Sequence, residues 1–250
     1  MSQQINNIQI NQIQNQRQSP DPEKIKSMFS KVAAKYDQAN SVLSVGIHHL
    51  WRKKLVELSE AKVGMQVLDC ATGTGDLAIA FKKTVGPTGS VIGTDFCKEM
   101  LDPAPQKAQQ QNLDIQFELA DVTQLQFTNK MFDIVSISFG IRNVNNPVKA
   151  LQEMARVTKP GGKVMVLEFG QMNVPVISHL YNFYSEKVLP KIGGLVTGQS
   201  DAYDYLQKSS AAFPCKENFL SLMQEANCFT EMHYTPVSFG IAYIYKGTVK

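Results

Sequence analysis

The sequence predicts an α/β fold: a doubly wound, mostly parallel seven-stranded sheet with an N-terminal helical extension and a helical insertion after the fifth strand. Two observations predict it. From Gln66 onward short apolar runs alternate with amphipathic stretches, the signature of βαβ units. The first of these runs is followed, after a short spacer, by a glycine-containing turn, "VLDCATGTGD" at 67–76, and later runs also end in acids or hydroxyls. At 250 residues, 43% hydrophobic and 19% charged, the chain is long enough for one full-sized domain with a sizeable core.

Residues 1–20 are Gln/Asn-rich and of low complexity, a tail expected to be disordered and unlike a secretory leader. Residues 21–250 are expected to form a single domain. Its parts are a helical cap (21–60), a cofactor-binding core (61–170), a lid insertion (171–212) and a C-terminal helix with strands (213–250).

In the cap, Ile25, Met28, Phe29, Val32, Ala33 and Tyr36 recur at intervals of three and four, the stripe of an amphipathic helix. Asp21 caps it and Pro22 opens its first turn. A second helical stretch, entered through a turn at Gly46, runs over "NSVLSVGIHHLWRKKLVELS". The five strands of the core are "QVLDCA", "SVIGTD", "IQFELAD", "FDIVSISF" and "KVMVLEF". Between the last two lies a helix, "NPVKALQEMARVTKPGG", expected to stop at Pro160. The insertion carries an aromatic-rich helical stripe through Val176, Ile177, Leu180, Tyr181, Tyr184 and Val188. A helix "KENFLSLMQEAN" and the runs "FTEMHYTPV" and "GIAYIYKG" close the chain.

The formal net charge of +3 is nearly balanced and no basic block exceeds Arg52–Lys54, so no nucleic-acid partner is indicated. Cys70, Cys97, Cys215 and Cys228 are too dispersed for a zinc site or a disulfide framework. They suit a reducing, cytoplasmic setting. No apolar run reaches the ~18 residues of a membrane span.

Gly73, Gly75 and Ala78 satisfy G-x-G-x-x-G/A, and Asp95 lies 20 residues beyond Gly75. A nicotinamide-dependent oxidoreductase is therefore a serious alternative. Against it, Asp76 sits at the helix N-terminus that a pyrophosphate would use, and Asp69 precedes a "CAT" spacer. A ligand with an ammonium and a sulfonium, S-adenosyl-L-methionine, suits both acids. Asp95 can accept from ribose hydroxyls, Asp121 with the Val122 backbone can meet the adenine edge, and Ser138 can line the methionine end.

These motifs resemble those of class I S-adenosylmethionine-dependent methyltransferases. "KYDQANSVLSVGIHHLWRK", "ISFGIRNVNNPVKALQEMARVTKPGGKVMVLEF" and "YDYLQKSSAAFP" are similar to signature segments of the ubiquinone/menaquinone biosynthesis C-methyltransferases. The resemblance spans roughly residues 25–250. It implies methylation of a ring carbon of a polyprenyl quinol, either demethylmenaquinol or a methoxybenzoquinol precursor of ubiquinone. It carries cofactor binding onto Thr74, Asp95, Asp121, Val122 and Ser138. "YDQANSV" and "RVTKPGG" look closer to the menaquinone branch. The chain departs from the family at Ala39-Asn40-Ser41, usually Met-Asn-Asp, and at His48-His49, usually His-Arg. Pro103 and Pro105 interrupt the usual helix after Asp95.

A quinol ring carbon becomes nucleophilic as a neighbouring hydroxyl loses its proton. With a phenolic pKa of about 10, full ionisation at neutral pH costs about 4 kcal/mol. Arg142 and Asn143, just after the fourth strand, are candidates to stabilise and orient the oxyanion. Arg142 pairing with a nearby acid, and Asn143 serving only a turn, are the structural alternatives. Tyr36, Asp37 and His48 are candidates for the substrate side, with Asp37 or a histidine relaying the proton. The adjacent His48 and His49 are not expected to face one ligand, so no metal site is expected. A non-catalytic subunit of a quinone-synthesis assembly is a third reading. Membrane-surface contact, a homo-oligomer and such an assembly are the partners left open.

Overall fold

A computed structural model describes residues 20–44, 46–171 and 200–250. The Gln/Asn-rich tail and the aromatic stripe of the insertion lie outside the described residues.

The cap is three helices: α1 (Pro22–Val32), α2 (Tyr36–Leu43) and α3 (Ile47–Leu58). Asp21 accepts the Glu23 backbone N–H at 3.1 Å, so the first helix starts where the sequence places it. It ends four residues before Tyr36: a 3₁₀ turn over Ala33–Lys35 breaks the stripe, and Tyr36 opens α2 instead. Gly46, at φ +74°, makes the turn into α3.

The core follows as β1 (Gln66–Cys70), α4 (Asp76–Val85), β2 (Ser90–Asp95), α5 (Lys98–Leu101), α6 (Pro103–Gln109), β3 (Gln116–Leu119), β4 (Phe132–Ser138), α7 (Pro147–Val157) and β5 (Thr158–Phe169). Pro103 begins a new helix after the short α5, the first-turn position that proline tolerates. The chain closes with α8 (Ser200–Ala212), α9 (Glu217–Ala226), β6 (Phe229–Val237) and β7 (Ala242–Val249).

The sheet order is β3-β2-β1-β4-β5-β7-β6. Strands β1 to β5 pair in parallel, and β7 runs antiparallel to both β5 and β6. Helix α7 ends at Val157, three residues before Pro160. The residue before a proline is pushed out of the α region, and Thr158 is already extended, its hydroxyl donating to the Met154 carbonyl at 2.7 Å.

Strand alternation sorts the core between two faces. Leu68, Val135, Val164 and Tyr245 pack with Leu151 and Met154 of α7 and Phe219 of α9. Val67, Ile134, Met165 and Ile244 pack with Leu55 of α3 and Phe81 of α4. Each such side chain contributes about 1.5–3 kcal/mol by leaving water. The two layers hold the carboxyl ends of β1, β2 and β4 fixed under the cap.

Candidate active site

Strand order reverses between β1 and β4, and ligands of open α/β sheets bind outside such a switch point. There β1 leaves the sheet through Ala71 (φ +48°), Gly73 (φ +55°) and Gly75 (φ +85°). A Cβ on Gly75 would stand 3.0 Å from Ala104 Cβ and 3.1 Å from Phe117 Cζ, so this glycine serves close packing as well as the turn.

Two buried carboxylates brace the loop. Asp69 accepts from the Thr72 hydroxyl at 2.6 Å and from the Ser136 hydroxyl at 2.7 Å. Asp95 accepts from the Gly73 N–H and the Cys97 N–H, each at 2.9 Å. Burial lifts both carboxyls to about 6, outweighing those hydrogen bonds. Every engaged oxygen keeps a second lone pair for a ligand. Ser138, at the end of β4, turns a buried hydroxyl into the same cleft, and among the described residues it has no hydrogen-bond partner.

A methyl donor carrying an ammonium, a sulfonium and ribose hydroxyls fits this set. It brings positive charge to carboxylates held up by burial, donors for Asp95 and a partner for the orphaned Ser138. Gly73, Thr74 and Asn143 also line the cleft, while Gly75 packs behind it. Asp121 does not line it: exposed, it accepts from the Thr123 N–H at 2.7 Å, and Val122 is buried in the core.

Asp76 differs from the sequence expectation. Arg52 of α3 meets its Oδ2 at 2.6 Å and Lys107 of α6 meets its Oδ1. Burial pushes this carboxyl up, but Arg52 and Lys107 more than reverse that and hold it below the usual range. The acid at this helix N-terminus is therefore not bare and does not by itself repel phosphate, because two cations from outside the motif offset its charge. Lys107 also reaches Asp37 at 2.6 Å, and Asp37 accepts from the Thr74 hydroxyl at 2.6 Å. Asp37 thus ties the cap to the glycine loop.

His48 and His49 are corrected too. Their rings stack at 3.9 Å, and with Asp76 they bring one ligand atom each within 4.8 Å. Ring tilt overcomes the angular offset of neighbouring helical residues. Both Asp76 oxygens, however, are already held by cations, which disfavour a further one.

Beside the cleft, an apolar cavity of about 300 Å³ lies between the cap, α8 and the sheet. Its walls include Met28, Val32, Trp51, Phe169, Tyr203 and Leu206. Phe29, Tyr36, Arg52 and Phe139 line cavity and cleft alike, so the two spaces adjoin. Trp51, Phe139 and Phe169 form an aromatic cluster with centroids 4.5–6.3 Å apart.

Arg142 lines the cavity but is paired: its Nη1 donates to Glu168 Oε1 at 2.7 Å and to the Phe139 carbonyl at 2.6 Å, and its guanidinium lies 5.4 Å from the Phe169 ring centroid. Asn143 accepts from the Tyr205 hydroxyl at 3.1 Å, joining this turn to α8. His48 lines the cavity, its Nδ1 against the Ser44 hydroxyl. Sequence reasoning missed Glu168, Arg52, Lys107, Trp51 and Ser44. Only Glu168 left a signal, as an acid closing an apolar strand.

The comparisons agree with this geometry. The model of the ubiE/COQ5 methyltransferase family matches residues 16–249. The "Ubiquinone/menaquinone biosynthesis C-methyltransferase UbiE" of Bdellovibrio bacteriovorus is 72% identical over 232 residues, 93% of this chain and 98% of that protein. The protein of the same name from Shewanella pealeana is 40% identical over 89% of each chain. Among solved structures, a SAM-dependent methyltransferase from Thermotoga maritima, described as a possible histamine N-methyltransferase, shares the fold at a TM-score of 0.64. It is 18% identical, and the match covers 90% of this chain and 99% of that one. The chain belongs to the ubiE/COQ5 methyltransferase family.

Proposed function

We propose that the chain methylates a ring carbon of demethylmenaquinol, completing a menaquinone. By family it is a C-methyltransferase of quinone biosynthesis with S-adenosyl-L-methionine as its methyl donor. The observation that carries the quinol reading is the adjoining pair of spaces, a carboxylate-braced polar cleft and an aromatic-walled cavity sharing Phe29, Tyr36, Arg52 and Phe139, and the likeness of "YDQANSV" and "RVTKPGG" to the menaquinone branch favours the naphthoquinol. A flat bicyclic ring finds aromatic faces there, and its isoprenoid tail finds apolar walls.

When bound, the donor supplies an electrophilic methyl group on a sulfonium. The protein holds it through Asp69, Gly73, Thr74, Asp95 and Ser138, which line the polar cleft. Tyr36 and Phe139 set the quinol ring against that cleft and exclude water. The buried Arg142, backed by Glu168, and Asn143, fixed by Tyr205, place cationic and amide donors beside the ring oxygen. His48 receives the hydroxyl proton. Among the described residues no helix is long and apolar enough to cross a membrane, and a tailed substrate implies that the protein meets a membrane surface to collect it.

The test is transfer of an isotopically labelled methyl from S-adenosyl-L-methionine to short-tailed demethylmenaquinol. The expected product carries one added ring methyl. An absence of transfer, with tight binding of NADH instead, contradicts the reading.

A further inference from the structure

The Ser44 hydroxyl has one proton to give, and that proton is committed. Its Oγ donates to the Asn40 carbonyl at 2.7 Å, and a carbonyl can only accept. Ser44 Oγ is also in hydrogen-bond contact with His48 Nδ1. With its own hydrogen directed at Asn40, Ser44 can meet that nitrogen only as an acceptor. The proton in the contact therefore belongs to His48 Nδ1, and Nε2 is left with its lone pair free.

His48 is 5% exposed and lines the apolar cavity. Among the described residues its ring makes no other hydrogen bond. Asn40, Ser44 and His48, spaced by four, all face that cavity.

We infer that Ser44 is a positioning residue that fixes the tautomer of His48, so that Nε2 is the atom that takes the proton from the quinol hydroxyl. The inference rests on the quinol reading above for its substrate, and on the Asn40–Ser44–His48 relay for its geometry. Burial, and next the charge of Arg52, lower the His48 pKa to about 4, so the ring is neutral at working pH. So weak a base does not strip a phenol of pKa about 10 in advance. It takes the proton as the methyl arrives, when the ring is losing electron density and the hydroxyl is strongly acidic. In that step the ring carbon bonds to the methyl carbon and the carbon–sulfur pair stays on sulfur. The hydroxyl proton passes to Nε2, leaving a neutral dienone and an imidazolium. The dienone then loses its ring C–H proton to water while its oxygen regains one from Nε2. The net products are methylquinol, thioether and one released proton.

The test pairs a spectrum with kinetics. Long-range proton–nitrogen correlation on the full chain labelled at its four histidines, with His48→Gln to assign the signal, is expected to show Nδ1 protonated and Nε2 bare. A protonated Nε2 in the native chain overturns the inference. Ser44→Ala is expected to raise the Nε2–H population and cut kcat about 10- to 100-fold with little change in KM, and Ser44→Thr to restore both. Native tautomer or native kcat in a folded Ser44→Ala also overturns it. A chain that methylates no quinol refutes the reading of the cavity, and the spectrum still decides the role of Ser44.

Discussion

Arg52 Nη1 and Asp76 Oδ2 meet at 2.6 Å, both side chains largely buried, and so pin the cap helix α3 to the first turn of the helix behind the glycine loop. Lys107, on the other oxygen of Asp76, extends the link to Asp37 and through it to Thr74. The cap that walls the cavity is thereby joined to the loop that walls the cleft.

Asp76→Asn should loosen that joint. A partly buried pair with a second cation lies between a surface pair, worth up to about 1 kcal/mol, and a fully buried one, where loss of a partner costs about 3–5 kcal/mol. The expected loss is about 1–2 kcal/mol in urea unfolding, with faster hydrogen exchange in α1 to α3. Breaking the exposed Lys54–Glu57 pair is the control and should shift stability by less than about 0.5 kcal/mol. Equal effects from the two changes would contradict the link.

Arg142 and Glu168 are buried almost completely. Glu168→Ala leaves the guanidinium without its carboxylate, at a cost of about 3–5 kcal/mol, and it frees the side chain to move from its place on the cavity wall. Stability by denaturant titration and kcat should both fall, with Glu168→Gln milder in both. A Glu168→Ala protein within about 1 kcal/mol of the native one would show that the pair holds nothing in place.

Affinity for S-adenosyl-L-methionine should depend on pH through Asp69 and Asp95. Their carboxyls sit at about 6 in the free protein, above the ordinary value of about 4. The free fold therefore favours their protonated forms and loses stability as pH rises from about 4 through about 6. A cationic donor with ribose hydroxyls favours the carboxylates instead, so binding is tightest above pH 6 and weakens as pH falls through that value. At pH 5 each group should weaken binding about tenfold relative to neutral pH. Titration calorimetry should show this together with proton release on binding near pH 6; flat affinity from pH 5 to 7.5 would contradict it.

Val32 lines the apolar cavity but not the cleft. Val32→Phe should occupy part of its volume at a stability cost of about 1–3 kcal/mol. The KM for tailed quinol should rise about tenfold or more, while donor affinity measured by calorimetry stays within about twofold. A matched loss of donor binding would mean that the cavity is not a separate substrate compartment.

The sheet was readable because its signal is local. SVIGTD and FTEMHYTPV coincide with β2 and β6 residue for residue, since alternation and flanking turns lie within each run. The break at Ala33 was less so, because a 3₁₀ turn depends on what the chain packs against, and helix α7 stops at Val157, three residues ahead of the proline that marks its end in the sequence. In the site, the residues of the glycine loop and strand ends were legible as motif. Asp76 was misread because its cations, Arg52 and Lys107, come from separate helices. Trp51 and Phe169 carry no distinguishing signal in the sequence, and only the fold places both at the cavity wall. Ser44 carries no signal of its own; its role appears only when Asn40 and His48 close around it.

The most direct test of the proposed function is the ratio of kcat/KM for short-tailed demethylmenaquinol over the methoxybenzoquinol precursor of ubiquinone with equal tails, both read by mass spectrometry of the methylated ring. The ratio expected is above about 10, roughly 1.4 kcal/mol of discrimination. A ratio at or below one, with the benzoquinol methylated as well as or better than the naphthoquinol, would contradict it.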